Sequence, residues 1–162
     1  IFGKEGEYRE QFSEEMLSLG NILVFGRRTY EMMADFWTTD MAMDLFPRVA
    51  EGMNKAEKIV FSTQIPPDEF WENTRFISGN LAEAVKQLRQ HEKKDMTILG
   101  SGSVVRQLAG QNLIDEYQIM IDPVLLGNGT SLFEGTGHSF NLELIESRTF
   151  SDGVILLKYK AQ

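Results

Sequence analysis

Three short segments of this chain carry the residues best suited to hold an anionic ligand. Each follows a short apolar run, and they are Gly26-Arg27-Arg28-Thr29, Ser62-Thr63 and Gly100-Ser101-Gly102-Ser103. Glycines let the backbone approach a pyrophosphate closely, and free N–H groups at a helix start favour its negative charge. Arginines add forked donors that suit phosphate. Together these residue types predict a site for a doubly anionic dinucleotide.

Each segment also has an ordinary structural interpretation. A Gly-Ser-Gly-Ser run before a helix commonly forms a tight turn with a Ser N-cap, and Ser-Thr after a strand commonly forms a turn. Adjacent arginines commonly lie in solvent at a helix start. The dinucleotide hypothesis therefore depends on all three segments following successive strands, because ligands of open α/β sheets bind beyond the carboxyl ends of the strands. The usual Rossmann fingerprint G-x-G-x-x-G is not matched by residues 100–105.

The spacing of apolar residues predicts the elements that position these segments. Short, continuously apolar runs predict buried strands, and apolar residues three or four apart predict amphipathic helices. The predicted strands of this part are Asn21–Gly26, Lys58–Ser62, Thr74–Ile77 and Met96–Gly100. The predicted helices run from Tyr8 to near Gly20, from Thr29 through Trp37, from about Asp44 to Asn54 with Pro47 in the first turn, from Leu81 to Glu92 and from Val104 to Gln111.

The end of the chain has a different pattern. Glu116–Leu126 is rich in strand-forming residues and is followed by the turn Gly127-Asn128-Gly129. Leu142–Thr149 and Val154–Tyr159 alternate around Ser151-Asp152-Gly153, which predicts a hairpin. The strand–helix alternation before it predicts a mostly parallel central sheet, with the hairpin adding antiparallel strands at one edge. We expect one α/β domain over residues 1–162, since no repeat or linker interrupts it.

Composition and charge exclude several classes of function. The formal net charge is -8 and the chain contains no cysteine, so disulfides, thiolate catalysis and Cys-ligated zinc are ruled out. An acidic chain is a poor candidate for binding nucleic acid. No apolar run approaches the roughly 20 residues that span a bilayer, so we expect a soluble, cytoplasmic protein that does not bind membranes. We also expect an N-terminal strand before Ile1, because the chain opens directly into a loop and helix without a methionine.

Several collinear segments resemble one superfamily of enzymes. Leu23-Val-Phe-Gly-Arg-Arg-Thr-Tyr-Glu31 is similar to the Gly-Arg-x-Thr-aromatic-Glu segment of dihydrofolate reductases, and Ile59-Val-Phe-Ser-Thr63 to the strand and Ser-Ser that follow it. Ile98–Val105 resembles their Gly-Gly-Gly-x-Val-Tyr segment. Leu113-Ile-Asp-Glu-Tyr117, together with Asp122–Gly129 and Leu132-Phe133, looks more like the pyrimidine reductases of riboflavin biosynthesis. The resemblance reaches from about Gly20 to the end of the chain and implies a dihydrofolate-reductase-like, three-layer αβα fold.

The resemblance also implies roles for individual residues. The cofactor would be NADPH, with Gly26, Arg27, Arg28 and Thr29 on its pyrophosphate and adenosine side and Ser62 and Thr63 at its 2′-phosphate. Gly100, Ser101, Gly102, Ser103 and Val104 would hold the pyrophosphate and nicotinamide ribose. Dihydrofolate reductases have a Gly-Gly pair with a cis peptide at the first two positions; this chain has Gly100-Ser101 there, so the sequence leaves the cis peptide open. Gly127, Asn128 and Phe133 would border the substrate pocket, although a plain turn and a core phenylalanine are equally good interpretations. No metal is implied, and the protein would form a homodimer.

The chain differs from dihydrofolate reductases at positions that bind or act on the substrate in those enzymes. The arginine that binds the folate tail there is missing from Asn54-Lys-Ala-Glu57, and their catalytic carboxylate lies upstream of the first motif. Glu14 and Glu15 precede that motif on a face that we interpret as solvated, so no catalytic residue is assigned. We therefore expect reduction of another small heterocycle, of the riboflavin-pathway pyrimidine or pteridine type. The alternative is a nucleotide-binding or regulatory protein of this fold that has lost catalysis.

The other residues with acidic, imidazole or aromatic side chains have ordinary structural interpretations. Asp115-Glu116 resembles the family's structural acidic pair and is interpreted as a cap or interface contact. His91 and His138 have no partner at ligand or triad spacing and are expected on the surface. Phe36-Trp37 is expected in the core or an interface.

Overall fold

A computed structural model of the chain describes residues 7–64, 66, 68, 70–137 and 139–162. None of the helices in these ranges is long and apolar enough to cross a membrane. Spatial contacts divide the chain into two units, residues 1–105 and 106–162. In chain order the elements are α1 (Glu7–Ser18), β1 (Ile22–Gly26), α2 (Arg27–Trp37), α3 (Asp40–Leu45), α4 (Pro47–Lys55), β2 (Lys58–Phe61), β3 (Thr74–Ile77), α5 (Leu81–His91), β4 (Met96–Gly100), α6 (Gly102–Ala109), β5 (Glu116–Ile121), β6 (Leu142–Thr149) and β7 (Ile155–Ala161).

The first unit is built on a four-stranded parallel sheet with the order β3-β2-β1-β4. Every residue of β1 is buried, which is why its sequence Ile-Leu-Val-Phe-Gly is apolar without alternation. The chain first moves outward from β1 through β2 to β3 and then returns to the other side of β1 for β4. The direction of strand addition therefore reverses between β1 and β4, which makes this pair the topological switch point of the sheet.

Each face of this sheet carries its own apolar cluster. On one face Leu23 and Phe25 pack with Tyr30, Val49 and Trp71, together with Met16 and Leu17 of α1. On the other face the cluster comprises Ile22, Val24, Ile59 and Leu88, the last from α5. The alternation of odd and even residues of β1 between the two clusters follows from the two-residue period of a strand. Helices cover both faces, as the α/β pattern predicts.

The second unit contains an antiparallel sheet with the order β5-β7-β6. The predicted hairpin is present as β6 and β7, and Gly153 at its turn has φ +88°. In the described residues the hairpin pairs with β5 and not with the parallel sheet, because β5 aligns antiparallel with β7 from Glu116↔Lys160 to Ile121↔Ile155. The α/β class with antiparallel closing strands is confirmed, with this difference in where the hairpin joins.

Several element boundaries differ from the sequence prediction for local physical reasons. Helix α2 begins at Arg27, two residues before Thr29, because Gly26 has the extended φ and ψ of an N-cap. The single helix predicted over residues 44–54 is instead replaced by α3 and α4. The Thr39 side chain caps α3 by accepting from the Ala42 N–H. Phe46 has a non-helical backbone conformation, so α3 ends before it and α4 begins at Pro47. Pro47 does lie in the first turn, where its missing N–H costs nothing. Helix α6 begins at Gly102 and β5 ends at Ile121, just before Asp122-Pro123.

Candidate nucleotide-binding site

The glycine-containing loops after β1 and β4 lie side by side at the switch point of the parallel sheet. Phe25 pairs with Gly100 and Gly26 pairs with Phe61, so the carboxyl ends of β2, β1 and β4 follow one another along one edge. A register shift between Val24 and Phe25 accommodates the exit of β4. The structure therefore brings the three sequence-predicted segments to the same end of the same sheet.

Gly26 is required where it is because the loop after β4 approaches its Cα directly. A Cβ built on Gly26 would lie 2.9 Å from Ser101 Oγ and 3.1 Å from Val104 Cγ2. Ordinary contacts of such atoms begin at about 3.5 Å. The backbone of Gly26 has φ -80° and ψ 152°, a conformation open to any residue. Close approach of the two loops, and not backbone freedom, thus accounts for glycine at this position.

Gly100, at the end of β4, makes a second close contact between the two loops. Its φ is +137°, in a region that L-residues rarely adopt, and an added Cβ would lie 3.2 Å from both Thr29 Cγ2 and Thr29 Oγ1. The peptide between Gly100 and Ser101 is cis, a feature that the sequence left open. The Thr29 side chain therefore packs against the bare face of Gly100.

Two helices begin at this junction. Gly26 caps α2 without a side chain and α6 begins at Gly102, and neither helix has an acidic residue in its first turn. Helix N-termini present N–H groups and the positive end of the helix dipole, so both favour an anion placed between the loops. Val104 N and Val105 N both donate to Ser101 O, which holds the turn into α6. Ser101 Oγ lies 2.7 Å from Ser103 Oγ.

The two arginines of α2 are not equivalent. Arg27 Nε donates to Glu31 Oε1 at 2.6 Å, one turn along the helix, and the Arg27 side chain is largely buried. Arg28 is exposed, and it makes no ion pair within the described part of the chain. Arg28 is thus the guanidinium that can turn to a ligand without first breaking a salt bridge.

The segment after β2 forms a turn. Ser62 N donates to Ile77 O at 3.0 Å, and Gln64 N donates to Ser62 Oγ at 3.0 Å. Ser62 is half-buried, and Thr63 is exposed beside it. The hydroxyl of Ser62 accepts from Gln64 N and also donates a long hydrogen bond to Gln64 O at 3.4 Å, so it would have to give up that bond in order to donate to a phosphate oxygen.

The residues predicted to border the substrate lie in the second unit. Gly127 has φ +72° and no atom within 4 Å of an added Cβ, which is the geometry of an exposed turn. Phe133 packs edge-on against Tyr117, with ring centroids 5.9 Å apart. Burial of Tyr117 raises the pKa of its phenol. The substrate roles of Gly127, Asn128 and Phe133 stay predictions.

The remaining acidic candidates have structural partners. Glu14 Oε1 lies 2.9 Å from Arg48 Nε, so Glu14 links α1 to α4 and is not simply solvated as predicted. Glu15 accepts a hydrogen bond from Gln11 in its own helix. The backbone carbonyl of Asp115 accepts from Ala161 N at the end of the antiparallel sheet, and the Glu116 carboxylate pairs with Lys158 at 3.3 Å across β5 and β7.

The other reactive or aromatic candidates are as follows. His91 is exposed in the last turn of α5, and His138 lies outside the described residues. Phe36 and Trp37 stack edge-on with centroids 4.9 Å apart, beside Phe46. Within the described ranges, no three His, Asp or Glu side chains are grouped as metal ligands would be.

The sequence analysis did not identify Lys58 as a special residue. Its side chain is fully buried, and its Nζ donates to the carbonyls of Asn54, Ala56 and Glu72 at 3.1, 2.7 and 3.1 Å. The ammonium also lies 4.3 Å from the ring centroid of Trp71. Burial lowers the pKa of Lys58 to about 8, against a smaller opposing effect of the Glu72 carboxylate. The sequence signals these surroundings of Lys58 only by placing a lysine at the start of an apolar strand. That signal does not show which backbone carbonyls accept from its ammonium.

A hydrogen-bond network extends from Lys58 towards α2. Trp71 Nε1 donates to Asn54 Oδ1 at 2.6 Å, and Asn54 Nδ2 donates to Trp37 O and Ala50 O. Trp71 N donates to the hydroxyl of Tyr30, one residue after Thr29. The network therefore fixes α2 and α4 to each other and to the segment before β3, which holds the start of α2 at the switch point.

Comparison with protein families places these observations in a known group. The family model described as the RibD C-terminal domain matches residues 5–156. Among curated relatives, the uncharacterized Bacillus subtilis protein YyaP is 28% identical over 146 residues, which cover 90% of this chain and 76% of the relative. The uncharacterized YwjB of the same organism is 25% identical over 153 residues, covering 94% and 80%.

Solved structures show the same fold. A protein of Shewanella sp. PV-4, provisionally assigned to riboflavin biosynthesis, aligns with a TM-score of 0.73 at 21% identity, covering 100% of this chain and 83% of that one. A pyrimidine reductase-like protein of Corynebacterium diphtheriae aligns with a TM-score of 0.59 at 17% identity, covering 91% and 79%. RibD of Acinetobacter baumannii aligns with a TM-score of 0.68 at 13% identity, covering 99% of this chain and 52% of that one. The predicted dihydrofolate-reductase-like fold is confirmed.

Proposed function

Because the chain belongs to the RibD C-terminal domain family, a family of reductases, we propose that it is an NADPH-dependent reductase of a small heterocyclic substrate. The substrate would be of the pyrimidine or pteridine type, and a homodimeric state is part of the same proposal. The observation that carries it is the contact of two glycine loops at the switch point. Gly26 faces Ser101, and Gly100 faces Thr29, with two helix N-termini beside them.

The residues present fit a dinucleotide phosphate. The contacts of Gly26 with Ser101 and of Gly100 with Thr29 hold the two loops together. The N–H groups that begin α2 and α6 then supply donors without competing carboxylates. Arg28 adds a cation in a chain whose net charge is -8, so the attraction must be local. When bound, NADPH would supply the hydride. The protein's own part is to hold the phosphates and to fix the position of the nicotinamide.

Selection of NADPH over NADH would depend on the residues near the 2′-phosphate. Arg28 and Thr63 are exposed at neighbouring positions of the sheet edge, after β1 and β2 respectively. A charge-assisted hydrogen bond contributes about 1.5–3 kcal/mol, so losing the Arg28 contact should weaken NADPH binding about 10-fold or more. NADH lacks the phosphate and should lose less.

The test is a fluorescence titration of wild type, Arg28→Gln and Thr63→Val with NADPH and with NADH. Lys93→Gln is the matched control, because it removes the same charge from an exposed lysine near the amino end of β4, away from the loops. We expect Arg28→Gln and Thr63→Val to reduce NADPH affinity selectively and Lys93→Gln to leave it unchanged. Equal losses for both nucleotides would remove the account of 2′-phosphate selection. Absence of binding by wild type would overturn the cofactor assignment.

Turnover distinguishes the enzyme from the alternative, a nucleotide-binding or regulatory protein of the same fold. NADPH oxidation should be followed by the loss of its near-ultraviolet absorbance with pyrimidine and pteridine substrates. Gly100→Ala serves as the impaired control, because its Cβ would meet Thr29. Tight NADPH binding without oxidation by any of these substrates would favour the alternative.

A further inference from the structure

The turn that follows β5 presents the dipeptide Asn128-Gly129 to solvent. Both residues are exposed, and no atom lies within 4 Å of a Cβ added to Gly129. Among the residues that the structure describes, none forms a hydrogen bond with the Asn128 side chain or with the Gly129 N–H. The side-chain amide and the backbone nitrogen that follows it are therefore both free to meet.

These two groups can react with each other. The Gly129 nitrogen, once hydroxide has removed its proton, attacks Cγ of Asn128, and the Cγ–Nδ2 bond breaks so that ammonia leaves and a cyclic imide forms. Water then opens the imide at either of its carbonyl carbons. Opening at Cγ gives aspartate, whereas opening at the main-chain carbonyl carbon gives isoaspartate, whose backbone runs through the side chain. Overall a water is consumed and an ammonia released, without any oxidant or reductant.

The residue after an asparagine decides how easily the imide can form. Glycine has no Cβ to hinder its nitrogen, and its backbone reaches conformations that other residues resist. Asn128 is followed by glycine, whereas each of the other six asparagines is followed by a residue with a side chain. The side-chain amides of four of those six are also held by hydrogen bonds, and these residues are Asn21, Asn54, Asn73 and Asn80.

A second exposed turn has the related dipeptide Asp152-Gly153, but its reacting groups are held. Gly153 N donates to Phe150 O at 3.0 Å, and Asp152 Oδ1 accepts from Val154 N at 3.2 Å. Attack of the Gly153 nitrogen on the Asp152 side chain would first have to break both hydrogen bonds. The structure therefore distinguishes two turns that both place a glycine after a short polar residue.

We propose that Asn128 is a site of spontaneous deamidation, which converts it through a cyclic imide with Gly129 into aspartate and isoaspartate as the folded protein ages. The product adds a negative charge within residues 123–133, a stretch that has no charged side chain. Asn128 is also predicted to border the substrate, so under the proposed function aged protein would carry this charge beside its substrate. The reaction itself does not depend on the reductase function, and NADPH titration and deamidation can therefore fail separately.

Peptide mapping by mass spectrometry follows the reaction in the folded full chain, kept in mildly alkaline buffer. Gly129→Ala is the first variant, and the structure accommodates it because the φ of Gly129 is not positive and the new Cβ meets no atom. In wild type we expect the Asn128 peptide to gain the mass of an amide-to-acid change, and an enzyme that methylates isoaspartyl groups should label it. Gly129→Ala should slow the conversion by about 10-fold or more. Asn80 is the internal control: it is exposed, but its Oδ1 accepts from Glu83 N at 3.1 Å, so it should remain unchanged.

The variant Asp152→Asn tests the role of the structure, because it places an identical dipeptide in the hydrogen-bonded turn. The new amide oxygen can still accept from Val154 N, and Gly153 N still donates to Phe150 O. Because both bonds must break first, position 152 should convert about 10-fold more slowly than Asn128 in the folded chain. In guanidinium chloride, where the turn is unfolded, the two positions should convert at similar rates.

Four results would overturn the proposal. The first is an Asn128 that stays unchanged in the folded chain over a period in which it converts in guanidinium chloride. The second is a Gly129→Ala variant that converts as fast as wild type. The third is a product that contains aspartate without isoaspartate, since a cyclic imide gives both. The fourth is an Asp152→Asn variant whose position 152 converts as fast as Asn128 in the folded chain, because hydrogen bonding in the turn would then offer no protection.

Discussion

Three glycine-to-alanine substitutions separate backbone strain from close approach in the first unit. Gly79→Ala introduces strain alone, because its φ is +100° and no atom lies within 4 Å of the new Cβ. Gly26→Ala introduces a contact alone, because its φ is -80° but its Cβ would lie 2.9 Å from Ser101 Oγ. Gly100→Ala introduces both, with φ +137° and two Thr29 atoms at 3.2 Å. The series thus contains a matched control for each physical effect.

The magnitudes follow from these geometries. A residue held in a sparsely populated backbone region costs about 1–3 kcal/mol, which is the expected loss for Gly79→Ala. Overpacking costs about 1–3 kcal/mol, and we expect Gly26→Ala within this range because its Cβ would meet both Ser101 Oγ and the buried Val104 Cγ2. Gly100→Ala should lose about 2–4 kcal/mol, since both effects act together and Thr29 can relax only in part.

Urea unfolding at 25 °C measures the stabilities, and NADPH titration measures the site. We expect the nucleotide affinity to fall in Gly26→Ala and Gly100→Ala, where the loops are pushed apart, and to be retained in Gly79→Ala. The double variant Gly100→Ala/Thr29→Ala removes both clashing atoms and should recover part of the stability lost in Gly100→Ala. The reasoning would be refuted if Gly100→Ala were no less stable than Gly79→Ala, or if all three variants bound NADPH equally well.

Two further predictions concern the buried network of the first unit. An ordinary lysine has a pKa of 10.5, whereas burial lowers the pKa of Lys58 in the folded protein to about 8. Between these two pH values the unfolded chain binds more protons than the folded one, so the free energy of unfolding rises with pH. The whole rise is about 3 kcal/mol. Lys58→Met should lack this rise when the free energy of unfolding is compared from pH 7 to 10.5, and an identical pH profile in the variant would contradict the assignment. Asn54→Ala should cost about 2–4 kcal/mol, because it leaves the Trp71 indole N–H and the Trp37 carbonyl without their partner. Near-ultraviolet circular dichroism of Trp71 should change with it, and an unaltered spectrum with unaltered stability would count against the network.

Much of the first unit could be predicted because its signals are local. The apolar run of β1 and the apolar strand after Lys58 require burial on both faces, which is a property of parallel strands. The position of Pro47 in a first helical turn follows from its missing N–H. The break at Phe46 has the same local origin, because the residue before a proline is disfavoured in the helical region and helices usually end there.

The candidate site was also predictable only in part. That glycines, arginines and hydroxyls follow successive strands could be predicted from residue types alone. The roles of the individual residues could not: Arg27 is held by Glu31, whereas Arg28 is exposed, and adjacent arginines look alike in sequence. Lys58 opens an apolar strand, but this signal does not reveal its three carbonyl partners, which come from residues 54, 56 and 72.

The order of apolar and small residues by itself determined the alternating α/β architecture and the kinds of groups at the strand ends, because burial and backbone conformation act on neighbouring residues. Only the tertiary structure decided that β4 returns to the far side of β1, and hence that Gly26 meets Ser101 and Gly100 meets Thr29. The members of each pair lie far apart in the sequence. Their approach is set by strand order in the sheet, which depends on the packing of the whole unit and not on any local pattern.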